Sequence, residues 1–264
     1  MNEDFTGKNY NLIDTHTHIY YHAGTSLLGE QMTRCLEKGI NKLFLPNVDV
    51  PSLKKILQTV DLYPSNCFPM LGLHPCSVDH NYKENLAIIR DAFPLSKIYA
   101  VGEIGIDLHW EKSTLPLQQE AFRIQIEWAK ELDLPIVIHC RDAFNEVFEI
   151  LEELNDEKLY GIFHCFTGNI EQANRAISLG FKLGIGGVVT YKKAGIDHVV
   201  KDLSLDDIVL ETDAPYLAPS PFRGKENESS YLIYIAQKVA DLHQVSIDKV
   251  AEITTKNAEN LFKI

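Results

Sequence analysis

Histidines and carboxylates recur at the ends of short apolar runs along this chain. They are His16, His18, Glu103, His139, His164 and Asp213. Imidazole nitrogens and carboxylate oxygens are ligands of zinc and of related divalent ions. A buried imidazole without a partner carries a desolvation penalty, so this recurrence favours convergence on a shared ligand over accident. The six side chains therefore predict a metal centre.

The number of candidate ligands exceeds what one catalytic ion needs. A catalytic zinc takes three protein ligands, whereas a pair of ions about 3.5–4 Å apart accommodates more. We therefore expect two divalent ions, with Glu103 as the bridge and with Glu103 and Asp213 as the catalytic residues. The expected ligands of the first ion are His16, His18, Glu103 and Asp213, and those of the second are Glu103, His139 and His164.

Three further carboxylates are candidates for orienting these ligands. Asp14 precedes His16 by two residues and Glu211 precedes Asp213 by two, so each could accept a ring N–H from a ligating histidine. Asp107, four residues after Glu103, is the third candidate.

Four other residues are predicted substrate contacts. They are Asn47 and His74 at two strand ends and the basic residues Arg223 and Lys225 in the loop after the last predicted strand. Arginine and lysine beside a metal centre suit a phosphate. Cys140 and Cys165 each follow a candidate ligand, so strand alternation predicts that their side chains turn away from the site.

Short apolar runs alternate with amphipathic stretches over most of the sequence, which predicts strands followed by helices. The predicted strands are Asn11–Ile19, Lys42–Val48, Phe68–His74, Ile98–Ile106, Pro135–His139, Tyr160–Cys165, Phe181–Val189 and Asp207–Asp213. The predicted helices are Ser26–Lys38, Ser52–Leu62, Lys83–Phe93, Leu117–Leu132, Ala143–Leu154, Ile170–Leu179, Lys192–Leu203, Ser229–His243 and Ser246–Phe262.

Eight strand–helix units favour a single-domain (β/α)8 TIM barrel over residues 1–264. The candidate ligands then lie together at its C-terminal face, where barrel active sites are built. A doubly wound open sheet is the alternative, but no Gly-x-Gly-x-x-Gly follows the first strand.

The composition excludes several classes of protein. The 264 residues include 25 Lys and Arg against 37 Asp and Glu, a net charge of −12, which argues against a basic nucleic-acid module. An apolar fraction of 45% excludes a disordered chain. Five cysteines without a Cys-x-x-Cys pair, and a polar N-terminus, predict reduced thiols and a cytoplasmic location. No apolar run is long enough to predict a membrane span.

A set of short motifs resembles the TatD family of metal-dependent deoxyribonucleases, which belongs to the amidohydrolase-like barrels. In this sequence they are Asp14-Thr-His-Thr-His, Gly72-Leu-His-Pro, Gly102-Glu-Ile-Gly-Ile-Asp, His139-Cys-Arg, His164-Cys-Phe-Thr-Gly, Glu211-Thr-Asp-Ala-Pro-Tyr-Leu and Arg223-Gly-Lys-Glu-Asn. The resemblance implies a (β/α)8 barrel that hydrolyses DNA phosphodiesters with Mg, Mn or Zn, with single strands or 3′ ends as substrate and no obligate protein partner. It implies metal roles for the same six residues.

Three positions depart from the family pattern. Cys76 replaces the second histidine of Gly-x-His-Pro-His, and Phe222 and Ser229 stand where the family often has His and Pro. These departures concern the grip on substrate and leave the six candidate ligands unchanged. The alternatives are an amidohydrolase or deaminase, an aminoacyl-tRNA ester hydrolase, and a metal-binding scaffold without turnover. The first commonly has a carboxylated lysine where this chain has Glu103.

Overall fold

The computed structural model describes residues 10–110 and 112–264. Its sheet has eight parallel strands in sequence order. They are β1 (Leu12–Asp14), β2 (Ile40–Pro46), β3 (Cys67–Leu71), β4 (Ala100–Asp107), β5 (Ile136–Arg141), β6 (Gly161–Phe163), β7 (Phe181–Ile185) and β8 (Ile208–Leu210). Residues 1–9 and residue 111 of the predicted domain lie outside the described part.

Helices follow the strands along the chain. They are α1 (Ser26–Glu37), α2 (Val50–Leu62), α3 (Tyr82–Ala92), α4 (Leu115–Leu132), α5 (Phe144–Glu153), α6 (Ile170–Ser178), α7 (Ile196–Asp202), α8 (Leu232–His243) and α9 (Ile247–Phe262). Side-chain caps begin some of them: Asp49 accepts from the Ser52 backbone ahead of α2, and Asn169 accepts from that of Gln172 ahead of α6. Among the described residues, no helix combines the length and apolarity needed to cross a membrane.

The two ends of the sheet meet, which closes the barrel. The Thr15 N–H donates to Leu210 O at 3.0 Å, and the Asp213 N–H donates to His16 O at 2.9 Å. The buried Asp14 carboxylate adds two bonds across the same seam, from the Thr212 N–H at 2.9 Å and from its hydroxyl at 2.6 Å. This closure confirms the predicted (β/α)8 barrel and excludes the open sheet.

The barrel interior is layered. One apolar layer contains a residue from most strands, and its members are Ile13, Phe44, Met70, Ala100, Val137, Ile162 and Val209. Phe262 at the end of α9 stacks on Phe44 at 3.7 Å between ring centroids and closes the N-terminal end of the barrel. Because side chains alternate along a strand, the interior position two residues beyond Val137 is His139, and His164 and Glu211 directly follow the ends of β6 and β8. Apolar packing thus forms the base on which the polar layer stands.

Glu103 enters this polar layer through an irregularity in β4. Its neighbours Gly102 and Ile104 pair with the consecutive residues Val137 and Ile138 of β5, so Glu103 is the extra residue of a bulge. Alternation from Ala100 would place residues 102 and 104 inside the barrel and residue 103 outside. The bulge instead turns Glu103 toward the interior. Such bulges commonly redirect a side chain at a functional site.

The strand bounds correct two expectations about the site. β1 ends at Asp14, so strand alternation does not place His16 and His18, which lie in the loop that follows. β4 ends at Asp107, one residue beyond the predicted Ile106, so Glu103 lies within the strand and Asp107 is its last residue.

Gly105 allows β4 and β5 to approach closely beside Glu103. Its φ is +138°, and a Cβ there would overlap the backbone oxygen of His139. Strain and overlap together predict that Gly105→Ala lowers the free energy of unfolding by at least about 3 kcal/mol. Gly195 is the control, because its φ is +77° but nothing lies within 4 Å of its Cβ position. In urea titrations, equal losses for Gly105→Ala and Gly195→Ala would contradict this account.

Candidate metal centre

A cavity of about 600 Å³ opens at the C-terminal ends of the strands. Its wall includes five of the six predicted ligands, namely His18, Glu103, His139, His164 and Asp213. The sixth, His16, is fully buried beneath them, and its ring stacks on that of His164 at 3.8 Å. The structure therefore brings together all six residues that the sequence selected.

Glu103 lies at the centre of the cluster, and its two carboxylate oxygens face different histidines. Oε2 lies 3.2 Å from His16 Nε2 and 3.9 Å from His18 Nε2. Oε1 lies 2.9 Å from His139 Nδ1 and 3.0 Å from His164 Nε2. One carboxylate thus joins two groups of nitrogen ligands.

Asp213 completes the group around Oε2. Its Oδ1 lies 3.4 Å from His18 Nε2 and 3.8 Å from His16 Nε2. The residue has a φ of +56°, which non-glycine residues seldom adopt. Such backbone strain is often found at functional sites. Here the conformation is held by the bond from the Asp213 N–H to His16 O, which ties the carboxylate to its neighbouring ligand.

The carboxylates and histidines of the cluster shift one another's pKa values. Burial alone would raise the pKa of Glu103, but His164, His74 and His16 hold that pKa well below its usual range. Burial likewise opposes ionisation of Asp213, yet its contacts with His18, His164 and His16 lower its pKa. Conversely, the nearby Glu103 raises the pKa of His164 well above 6.5 although burial would lower it. Both carboxylates are therefore ionised and depend on the imidazole rings beside them.

Tyr20 orients His18. The Tyr20 hydroxyl donates to Pro46 O at 2.8 Å, so its oxygen is free to accept from His18 Nδ1, also at 2.8 Å. This chain places the ring proton on Nδ1 and leaves the lone pair of Nε2 directed at Asp213 and Glu103. Metal-ligating histidines are commonly fixed in this way. Tyr20 is not among the residues predicted from the sequence, although its position two residues after His18 was a signal.

Two of the predicted orienting carboxylates contact histidines. Asp107 Oδ2 lies 2.8 Å from His139 Nε2, on the side of the ring opposite Glu103. Glu211 Oε1 lies 3.3 Å from His164 Nδ1 and accepts the Cys165 N–H. Each of these histidines has one nitrogen on an outer carboxylate and the other on Glu103.

Asp14 does not orient a histidine ring. Both of its oxygens are bonded to Thr212 across the barrel seam, and the only bond it accepts from His16 comes from the backbone N–H at 3.3 Å. Burial raises the pKa of Asp14 to about 7. Asp14 therefore has a structural role, because it attaches the segment that carries Asp213 to the segment that carries His16.

His74 differs from the six candidate ligands. Its Nδ1 accepts the Cys76 N–H at 3.0 Å, so the neutral ring carries its proton on Nε2, which lies 3.3 Å from Glu103 Oε1. Although His74, Glu103 and His139 are close enough to hold an ion, this tautomer makes Nε2 a donor. The predicted role as a substrate contact fits this arrangement better than a metal role.

The other three predicted substrate contacts do not belong to the cavity wall. Asn47 is fully buried and donates to Asp49 O and Ser52 Oγ at the start of α2, so it braces a loop and does not reach the cavity. Arg223 and Lys225 are exposed and outside the cavity wall, with the Arg223 guanidinium 4.4 Å from the centre of the Tyr191 ring.

The prediction that the side chains of Cys140 and Cys165 turn away from the site is wrong. Cys140 and Cys165 are half-buried and belong to the cavity wall instead of turning away from it. Because β6 ends at Phe163, alternation does not extend to Cys165, whose φ is +45°. Burial raises the pKa of both thiols, which keeps them protonated and unsuited to act as nucleophiles.

The donor set fits divalent metal ions. His16 is buried, and neither ring nitrogen has a hydrogen-bond partner within the described residues, although Nε2 points at carboxylate oxygens. An unpartnered imidazole in a fully buried position is costly unless a ligand completes it. The nitrogen and carboxylate atoms form groups compact enough for an ion, including His16 with His18 and Asp213 and His16 with Glu103 and His164.

We expect Tyr20→Phe to weaken metal binding about 10- to 100-fold, because it removes the acceptor that fixes the His18 tautomer. Calorimetric titration of metal-stripped protein with Mn²⁺ measures the change. Tyr82→Phe is the control, since Tyr82 is also buried but lies on α3, away from the cavity. An affinity equal to that of the control would show that Tyr20 does not orient His18.

Several known proteins are similar to this chain in sequence or in fold. The family described as TatD related DNase matches residues 13–263. An uncharacterized metal-dependent hydrolase, YabD of Bacillus subtilis, is 39% identical over 96% of this chain and 99% of its own length. The 3′-5′ ssDNA/RNA exonuclease TatD of a Rahnella strain is 31% identical over 88% of this chain and 90% of its own. The crystal structure of YjjV, a TatD homolog from Escherichia coli K12, superposes with a TM-score of 0.90 at 27% identity, covering 96% of this chain and 98% of that one. The chain belongs to the TatD-related DNase family and is a metal-dependent hydrolase.

Proposed function

We propose that this protein uses two divalent metal ions to hydrolyse phosphodiester bonds at the 3′ ends of single-stranded DNA. The observation that carries the proposal is the position of Glu103, whose oxygens face two separate groups of ligand atoms at the bottom of an open cavity. Paired ions across a bridging carboxylate suit the in-line displacement of phosphoryl groups. The exonuclease activity named for the Rahnella relative supports the choice of substrate.

The proposed ligands follow the two oxygens of Glu103. His16, His18 and Asp213 surround the first oxygen, and His139 and His164 surround the second. Bound divalent ions supply the acidity that makes water a nucleophile near pH 7. We propose Mg, Mn or Zn, since all three accept a mixture of imidazole and carboxylate ligands.

The chain's own residues divide the remaining work. Asp213 is ionised and belongs to the cavity wall, so it can orient an attacking water and accept its proton. The Nε2–H of His74 donates toward the cavity beside Glu103 and is placed to bond a phosphoryl oxygen as charge develops. Tyr20, Asp107 and Glu211 hold the ligand rings in place and take no part in the proton transfer.

The other activities consistent with such a centre are distinguishable by substrate. A cyclic amide or nucleobase would suit an amidohydrolase, and an aminoacyl-tRNA would suit an ester hydrolase. Among the residues that the structure describes, no contact in the cavity favours either over a phosphodiester. The intact ligand set argues against a scaffold without turnover.

We expect metal-stripped protein to release a label from the 3′ end of single-stranded DNA only after Mg²⁺ or Mn²⁺ is added. Asp213→Asn should lower the rate at least about 100-fold, because the amide cannot accept a proton. Duplex DNA labelled at its 3′ end, single-stranded RNA, an aminoacyl-tRNA and a cyclic amide serve as comparison substrates. Faster hydrolysis of any of them than of single-stranded DNA, at saturating metal, would contradict the proposed substrate.

A further inference from the structure

Trp110 is a large aromatic side chain exposed at the mouth of the catalytic cavity. It is 70% exposed, yet it belongs to the cavity wall together with the metal centre. Trp128, in contrast, packs against the core from α4. An indole left in water at the entrance to a site contributes little to the fold, and exposed aromatic surface of this kind commonly marks a place where a ligand binds.

A guanidinium accompanies the indole. The Arg141 side chain lies over the Trp110 ring, with Cζ 5.4 Å from the ring centre, and also belongs to the cavity wall. Within the described residues, no carboxylate lies within ion-pair distance of Arg141, whose side chain reaches the cavity wall. The mouth of the cavity thus offers an aromatic face and a cation side by side, in a protein whose net charge is −12.

The position of this pair is fixed relative to the metal centre by one carboxylate. Asp107 Oδ1 accepts the backbone N–H of Trp110 at 3.0 Å and that of His109 at 2.8 Å. Its other oxygen contacts His139, a proposed metal ligand. Arg141 lies two residues after His139 on β5. Both members of the pair are therefore joined through short covalent and hydrogen-bonded paths to the same metal ligand.

Single-stranded nucleic acid is the ligand that this combination fits. An indole stacks on a nucleobase whatever its sequence, and arginine adds a contact to the base or to the neighbouring phosphate. A small phosphate ester without a base would contact the arginine but leave the indole without a stacking partner. Stacking also requires an unpaired base, which favours a single strand over a duplex.

We propose that Trp110, with Arg141 over its ring, is a stacking platform for a nucleobase next to the scissile phosphodiester. This inference rests on the proposed nuclease function and identifies the residues that select a strand carrying bases. The platform holds the strand in position, while the reaction itself depends on the metal centre.

The test compares normal strands with strands that lack one base. The unmodified protein, Trp110→Ala, Trp110→Phe and Leu95→Ala are assayed with Mn²⁺ on single-stranded DNA that is normal, abasic at its 3′-terminal position or abasic at the penultimate position. Leu95 is a matched control, being 69% exposed but preceding β4, at the opposite end of the barrel. Metal content is measured for each variant.

We expect Trp110→Ala to lower kcat/KM on the normal strand by about 5- to 150-fold, the range found for loss of one base–aromatic stack. On the strand abasic at the stacked position, the same substitution should have little further effect, since no base remains to stack. Trp110→Phe keeps a ring and should retain most of the activity. Metal content should not change, because Trp110 contributes only its backbone N–H to Asp107.

Two results would overturn the platform. One is activity of Trp110→Ala equal to that of Leu95→Ala on the normal strand. The other is a loss for Trp110→Ala that is equally large on both abasic strands as on the normal one. In either case cleavage by the unmodified protein would leave the proposed function standing. Failure of the unmodified protein to cleave any strand with Mn²⁺ bound would instead overturn the proposed function and the platform with it.

Discussion

The structure depends on the placement of a negative charge inside a barrel. Glu103 is only 3% exposed and stands above an apolar layer, where an isolated carboxylate would be very unfavourable. Histidines from four other strand ends surround it and lower its pKa, and their own positions follow from that requirement. Metal ions would supply the same positive charge more strongly, which explains why imidazole nitrogens and carboxylate oxygens face one another here at 3–4 Å.

The barrel delivers this arrangement by several distinct means. Alternation along β5 brings His139 inward, His164 directly follows β6, and a bulge in β4 turns Glu103 inward. The seam between β8 and β1 places Asp213 beside His16, held by Asp14 and Thr212. Outer hydrogen bonds from Tyr20 and Asp107 then fix the ring orientations. The same Asp107 reaches the loop of Trp110, so the centre and the proposed substrate platform share one support.

The sequence was sufficient for the fold and for the six candidate ligands, because strand–helix alternation and ligand-type residues at strand ends are both local patterns. It was insufficient where position depends on tertiary structure. The bulge at Glu103 and the early end of β1 cannot be read from periodicity, although both left the predicted residues in place. Asn47 and Asp14 have the right chemistry, but the Asn47 amide nitrogen is bonded to the start of α2 and the Asp14 carboxylate is bonded across the seam. Tyr20 and Trp110 were missed because aromatic residues near a strand end more often belong to a core.

The proposed bridging of two metal ions by Glu103 is tested most directly by electron paramagnetic resonance of the Mn²⁺-loaded protein. Two Mn²⁺ ions held about 3.5–4 Å apart by one carboxylate give the spectrum of a magnetically coupled pair. We predict two ions per chain with that coupled spectrum, and its loss in Glu103→Gln, whose amide cannot bridge. A spectrum of isolated Mn²⁺ from the unmodified protein at saturation, or a coupled pair that survives in Glu103→Gln, would contradict the account.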